Sequence, residues 1–182
     1  MFGPRRMMRR AMRMAGGGQQ RVREAQALMA QGRFEDAAKL FSQVSDEAAQ
    51  RGMIRPAGYL AMQAARAYAQ AGKGDEALHQ AKRALDIMLN AGNPIQATRA
   101  MPRAITFLRG HGFAAQANVL EQKATKRLAK VGLTLQAMPM GMGRSLPATC
   151  PQCAGPLRSD DAEWIDATSA ECPWCGSTVK AV

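Results

Sequence analysis

The chain has 182 residues, 25 Lys and Arg against 14 Asp and Glu, a formal net charge of +11, four Cys, two His and nine aromatic side chains. That length accommodates one domain of ordinary size and a small appendage. Nine aromatic side chains give poor support to a base-stacking platform of interleaved aromatic and basic residues, and no apolar run of about 18 residues would span a bilayer. The charge is unevenly spread: residues 1–20 carry five Arg and no acid, residues 21–135 carry 17 basic and 9 acidic side chains, and residues 136–182 carry 3 and 5. A basic front and an acidic back result, and a basic body calls for an acidic partner.

Residues 1–19 read as a basic amphipathic leader ending in a glycine hinge at Gly16, Gly17 and Gly18. On a helix turning about 100° per residue, Arg5, Arg6, Arg9, Arg10 and Arg13 share one arc, while Met7, Met8, Ala11, Met12, Met14 and Ala15 take the other side. The arginines interrupt every candidate apolar core of a secretory signal. A helix this short needs a surface to order on. The candidates are an anionic membrane, an acidic protein groove, nucleic acid, or the chain's own scaffold met through the methionines. Cytoplasmic residence is the expectation, with peripheral membrane contact through this leader.

Residues 20–132 are rich in Ala, Leu, Gln, Lys and Arg, with Gly and Pro as punctuation. Gly32, Gly72 and Gly112 lie 40 residues apart, and so do Ala37, Ala77 and Ala117. This is an internal repeat of helical hairpins, with helices expected at 20–31, 34–51, 57–71, 74–91, 95–109 and 112–131. Gly72-Lys73-Gly74 lacks the Lys-Ser/Thr ending of a phosphate loop. The run Ala67-Tyr68-Ala69-Gln70-Ala71-Gly72-Lys73-Gly74-Asp75-Glu76-Ala77-Leu78 resembles a tetratricopeptide repeat, with an aromatic, a turn glycine, an acidic second-helix start and Ala at helical spacing. The 40-residue period is longer than the 34 of the common repeat, and Glu121 stands where an aromatic or small residue is expected, which suits a terminal cap. The resemblance implies a short solenoid whose first helices line a groove. Arg23, Arg66 and Arg103, with Gln26, Gln63, Gln70 and Arg99, are then the groove candidates, and the guanidinium forks favour an acidic peptide.

Residues 133–147 form a Met/Gly/Pro linker, whose Met138, Met140 and Met142 suit adaptable packing better than Cu(I) binding because no His or spare Cys accompanies them. Residues 148–182 hold Cys150-Pro151-Gln152-Cys153 and Cys172-Pro173-Trp174-Cys175, a C-x2-C-x18-C-x2-C pattern that uses every cysteine in the chain. Two residues between paired cysteines let one tight turn aim both sulfurs at a single ion, so one structural Zn²⁺ is expected on four thiolates. Gly155 and Gly176 are the expected left-handed turn residues of the two knuckles. The knuckles resemble those of zinc ribbons and rubredoxin-like domains, Cys-Pro-x-Cys-Gly, except that Ala154 precedes Gly155 in the first.

A closed four-sulfur site has no open position for a substrate, and His79 and His111 have no evident nucleophile beside them. Asp160, Asp161, Glu163 and Asp166 read as a solvated acidic loop. The fold class expected is mostly α: three antiparallel helical hairpins, a tetratricopeptide-like solenoid, followed by a small β-rich zinc ribbon. The function expected is a non-enzymatic adaptor with no small-molecule substrate, which binds another protein through an acidic segment of that partner. Trp164 and Trp174 are the ribbon's anchor candidates, Trp174 being favoured for contact because turn residues tend to point outward. Two alternatives stay open: nucleic-acid or ribosome association through the basic leader, and a RING-like recruiter in a protein-modification pathway.

Overall fold

The computed structural model describes residues 4–135, 145–159, 162–165 and 168–181, with the side chains of residues 4–16 and of Glu163 outside that description. Six helices come first among the described residues: α1 (Pro4–Ala30), α2 (Phe34–Gln50), α3 (Ile54–Gln70), α4 (Gly74–Asn90), α5 (Pro94–Gly110) and α6 (Ala114–Ala129). Each packs on the next, and α3 also reaches α5 and α4 reaches α6. A three-stranded antiparallel sheet follows, β1 (Glu163–Trp164), β2 (Ser169–Glu171) and β3 (Thr178–Lys180), in the order β1-β2-β3. Ala170 of β2 faces Trp164 on one side and Val179 on the other.

The helical unit repeats every 20 residues, half the period legible from Gly32, Gly72 and Gly112. Gly32, Gly52, Gly72, Gly92, Gly112 and Gly132 all take left-handed backbone, with φ between 69° and 85°. After each of these glycines the next amide reaches back to the carbonyl five residues earlier, as in Arg33 N to Leu28 O at 2.9 Å, Lys73 N to Tyr68 O at 2.9 Å and Phe113 N to Leu108 O at 2.9 Å. This is a Schellman ending, which satisfies otherwise orphaned carbonyls and stops the helix. After each of the first five glycines the next residue caps the following helix, which begins one residue later, so helix and turn together occupy 20 residues. Ala37, Ala57, Ala77, Ala97 and Ala117 share that spacing, and all five are fully buried. A methyl side chain at these positions lets a neighbouring helix approach closely.

Two helix starts fall well before the expected positions. Helix α3 begins at Ile54 because Pro56 lies in its first turn, where the missing N–H has no intrahelical partner to lose. Helix α1 begins at Pro4 and runs unbroken through Gly16, Gly17 and Gly18, so the expected hinge is helical instead. Helix α5 starts at Pro94, and its Asn93 cap accepts a hydrogen bond from Gln96 N at 3.4 Å.

Two clusters form the helical core. Val22, Ala25, Phe41, Leu60 and Ala64 join α1, α2 and α3, while Leu85, Met88, Met101, Leu108, Leu120 and Leu128 join α4, α5 and α6. Glycine permits close approach at Gly74, where a Cβ would lie 2.4 Å from the Phe113 ring. The fully buried Ser45 is paired, its Oγ donating to Ala57 O at 2.8 Å across α2 and α3.

Glu35 ties α2 to the start of α4. Its carboxylate accepts from Lys39 at 2.8 Å and from Lys73 at 2.9 Å. Those two hydrogen bonds, led by Lys39, lower its pKa from 4.5 to about 2. A depressed carboxylate contributes stability above its unfolded pKa and loses it as the pH falls through the folded one. Between pH 4.5 and about 2, the melting temperature of the native chain is therefore expected to fall more steeply than that of Glu35→Gln. Parallel melting curves for the two would remove the role assigned to this pair of lysines.

Candidate metal centre

The first knuckle lies between an isolated bridge pairing Thr149 with Pro156, and the second lies in the turn between β2 and β3. Both fold the same way. Cys150 N donates to Gly155 O at 2.8 Å and Ala154 N to Cys150 O at 2.9 Å; Cys172 N donates to Ser177 O at 2.8 Å and Gly176 N to Cys172 O at 2.9 Å. The residue directly after the second cysteine takes the left-handed turn in each, Ala154 with φ 55° and Gly176 with φ 75°.

Gly155 therefore does not supply the positive φ expected of it. The first knuckle closes on Ala154, and Gly155 is needed for space, because a Cβ there would sit 2.5 Å from the Trp174 ring. A left-handed Ala costs about 1–2 kcal/mol, part of which glycine returns as chain entropy. Ala154→Gly is thus expected to stabilise the ribbon by up to about 1 kcal/mol, read as slower loss of bound metal. Faster loss would refute the strain assigned to this turn.

The four cysteine sulfurs lie within 4.8 Å of one another. Cys150 Sγ and Cys175 Sγ are 3.8 Å apart, as are Cys153 Sγ and Cys172 Sγ. A tetrahedral ion with sulfur at about 2.3 Å has ligand-to-ligand edges of about 3.8 Å, whereas a disulfide brings its sulfurs to about 2.05 Å. All four thiols are free. The donor set and its spacing therefore fit one tetrahedral metal ion.

The surroundings polarise the four sulfurs unequally. For Cys150, burial opposes ionisation, but the Ser177 hydroxyl and the backbone N–H groups of Cys153 and Gln152 outweigh it and lower the pKa to about 6. Cys175 is also lowered, burial again being overcome by Ser177. Burial pushes Cys153 and Cys172 up. Ser177 Oγ lies 2.9 Å from Cys175 Sγ and 3.5 Å from Cys150 Sγ, bridging one sulfur of each knuckle. Sequence reading passed over Ser177. Its position two residues after Cys175 was the available signal.

Leu146, Leu157, Ala162, Ala170 and Val179 pack with Cys150 and Cys172 to form the ribbon's core. Trp164 lies half-buried against this core and takes part in a hydrogen bond from its Nε1 to Ser159 O at 3.1 Å. Trp174 is also half-buried. Its Nε1 donates to Pro156 O at 2.7 Å, and its ring meets Tyr59 of α3 edge-on at 5.2 Å. The surface it touches is thus the chain's own helical unit, where sequence reading had it pointing outward.

The three groove arginines fall on α1, α3 and α5. Arg23 is exposed. Arg66 stacks over the Phe107 ring at 5.1 Å, and Arg103 is half-buried and engaged. Gln63 is buried and the side chains of Gln26, Gln70 and Arg99 are half-buried. The side chains of Arg5, Arg6, Arg9, Arg10 and Arg13 lie outside the described residues, as do Met138, Met140 and Met142 of the linker. No helix among the described residues is long and apolar enough to cross a membrane.

The described residues define six helices and a C-terminal cluster of four cysteines able to hold a metal. Comparison with known protein families, curated proteins and solved structures gives no match for the chain.

Proposed function

We propose that the chain is a non-enzymatic adaptor, in which a tetratricopeptide-like helical scaffold and a structural zinc ribbon each contribute to holding another protein. The observation that carries this reading is the closed set of four sulfurs: every cysteine faces the same point, so a bound ion would have no open position for substrate. Four thiolates at tetrahedral spacing select zinc or iron, and zinc is the ion proposed. When bound, it supplies no chemistry beyond cross-linking the two knuckles. The helical part supports the scaffold role through its 20-residue recurrence of turn glycines and buried alanines, which lets hairpins stack with a constant offset. The partner proposed carries an acidic segment, complementary to a chain of net charge +11.

The test is affinity capture by the purified, zinc-loaded chain at about physiological salt, with and without nuclease. Discrete proteins that survive nuclease and bind the purified chain directly support the adaptor. The overall charge favours one second reading, nucleic-acid or ribosome association, with a cytoplasmic setting for either. It predicts that binding to RNA weakens steeply with salt and that neutralising Arg5, Arg6, Arg9, Arg10 and Arg13 reduces that slope.

A further inference from the structure

The ribbon touches the helical unit through its metal-ligand turns. Trp174, directly before Cys175, sets its ring edge-on to Tyr59 of α3 and packs against the cluster shared by α1, α2 and α3. Glu171, directly before Cys172, forms an ion pair with Arg55 of α3. Gly176, directly after Cys175, lies under that guanidinium, where a Cβ would stand 2.5 Å from Nη1. On the other knuckle, Gln19 Nε2 of α1 donates to the carbonyl of Cys153 itself at 3.3 Å. Each of these docking residues is a cysteine of the site or its immediate neighbour.

From this arrangement we infer that metal loading of the four cysteines and docking of the ribbon on α1 and α3 form one coupled equilibrium. The inference rests on the reading of the cluster as a metal site. The indole of Trp174 is clamped between Pro156, which accepts its N–H, Gly155, which has no room for a Cβ, and Tyr59. It keeps that position only while both knuckles hold their turns. The ion holds the two turns together, so it also holds the docking surface in shape. Coupling of this kind is reciprocal: what the metal contributes to docking, docking returns to metal affinity. Gln19, Arg55 and Tyr59, remote in sequence from the cysteines, are therefore positioning residues of the metal site. Loss of the metal uncovers Tyr59 and Arg55, an aromatic and a cation side by side.

The full-length, zinc-loaded chain and a chromophoric chelator in excess provide the test. Arg55→Glu changes a partly exposed side chain and places like charges opposite each other, so zinc transfer is expected to run roughly fivefold faster with the helical melting transition unchanged. The double exchange Arg55→Glu with Glu171→Arg is expected to restore the native rate, which a general loss of stability would not do. Hydrogen exchange gives a second readout: removal of zinc raises exchange in residues 19–26 and 54–60 and leaves residues 97–108 as they were. An Arg55→Glu chain that releases zinc at the native rate, or an exchanged pair that stays fast, overturns the coupling while leaving the metal site standing. A native chain that takes up no zinc overturns both.

Discussion

A Cys172→Ser chain is expected to be purified without metal and with its ribbon unfolded, while the helices keep their far-ultraviolet signal. Among the described residues the ribbon's buried core consists of Leu146, Leu157, Ala162, Ala170 and Val179 besides the two buried cysteines, and its strands are two or three residues long. A unit of that size cannot offset the entropy of ordering its own backbone. The free energy of metal binding, on the order of 10 kcal/mol for structural zinc sites at neutral pH, is then its folding free energy. Serine at the fully buried Cys172 replaces a soft ligand with a hydroxyl that binds zinc poorly. Metal content together with fluorescence of Trp164 and Trp174 reads the result. A metal-free variant with native fluorescence and protected β2 and β3 amides would show that the ribbon folds without an ion.

Leu85→Ala is expected to be the most damaging single truncation in the helical unit among those considered, costing about 2–5 kcal/mol. Leu85 lies in α4 with no solvent exposure, within the cluster shared by α3, α5 and α6. The same cluster contains Ala81, Ala84 and Ala104, whose methyl groups have no rotamers with which to fill a void. The cavity therefore persists, and the cavity contribution adds to the lost transfer free energy. Ile95→Ala serves as the control, since Ile95 is 55% exposed and a surface change of this kind stays within about 0.5 kcal/mol. Urea unfolding of both variants followed by circular dichroism makes the comparison. Equal midpoints would show that α4 is not central to the core.

Much of the local structure was legible because it depends on local chemistry. Glycine is the residue that adopts left-handed backbone without a Cβ penalty, so Gly32, Gly72 and Gly112 mark helix ends in the sequence itself. Gly52, Gly92 and Gly132 occupy equivalent turns, but the residues around them differ enough between odd and even helices that only the 40-residue period stood out. Gly16, Gly17 and Gly18 show the opposite case. Glycine in a helix interior costs only about 1 kcal/mol each, which the long α1 absorbs, so a glycine run alone does not mark a joint.

The candidate site divides in the same way. Cysteine spacing identified all four ligands, since two intervening residues fix the geometry of a knuckle whatever surrounds it. Ala154 in the left-handed turn was visible as a departure from the ribbon pattern, but assigning the strain to it and the space requirement to Gly155 needed the position of Trp174. The position of Trp174 depends on Pro156 and Gly155 of the first knuckle and on Tyr59, more than a hundred positions away.

By itself, the sequence determined the mostly helical body, the ends of its helices, the four clustered cysteines and the segregation of basic and acidic segments, because turn conformation, helix propensity, ligand spacing and charge are properties of neighbouring residues. Only the tertiary structure decided that Ser177 bridges the two knuckles, that Arg66 lies over Phe107, and that Trp174, Glu171 and Cys153 meet Tyr59, Arg55 and Gln19. Apart from the Ser177 link to Cys175, these contacts join residues distant in the chain, and their partners are selected by shape and charge complementarity once the helices have packed, which no local pattern encodes.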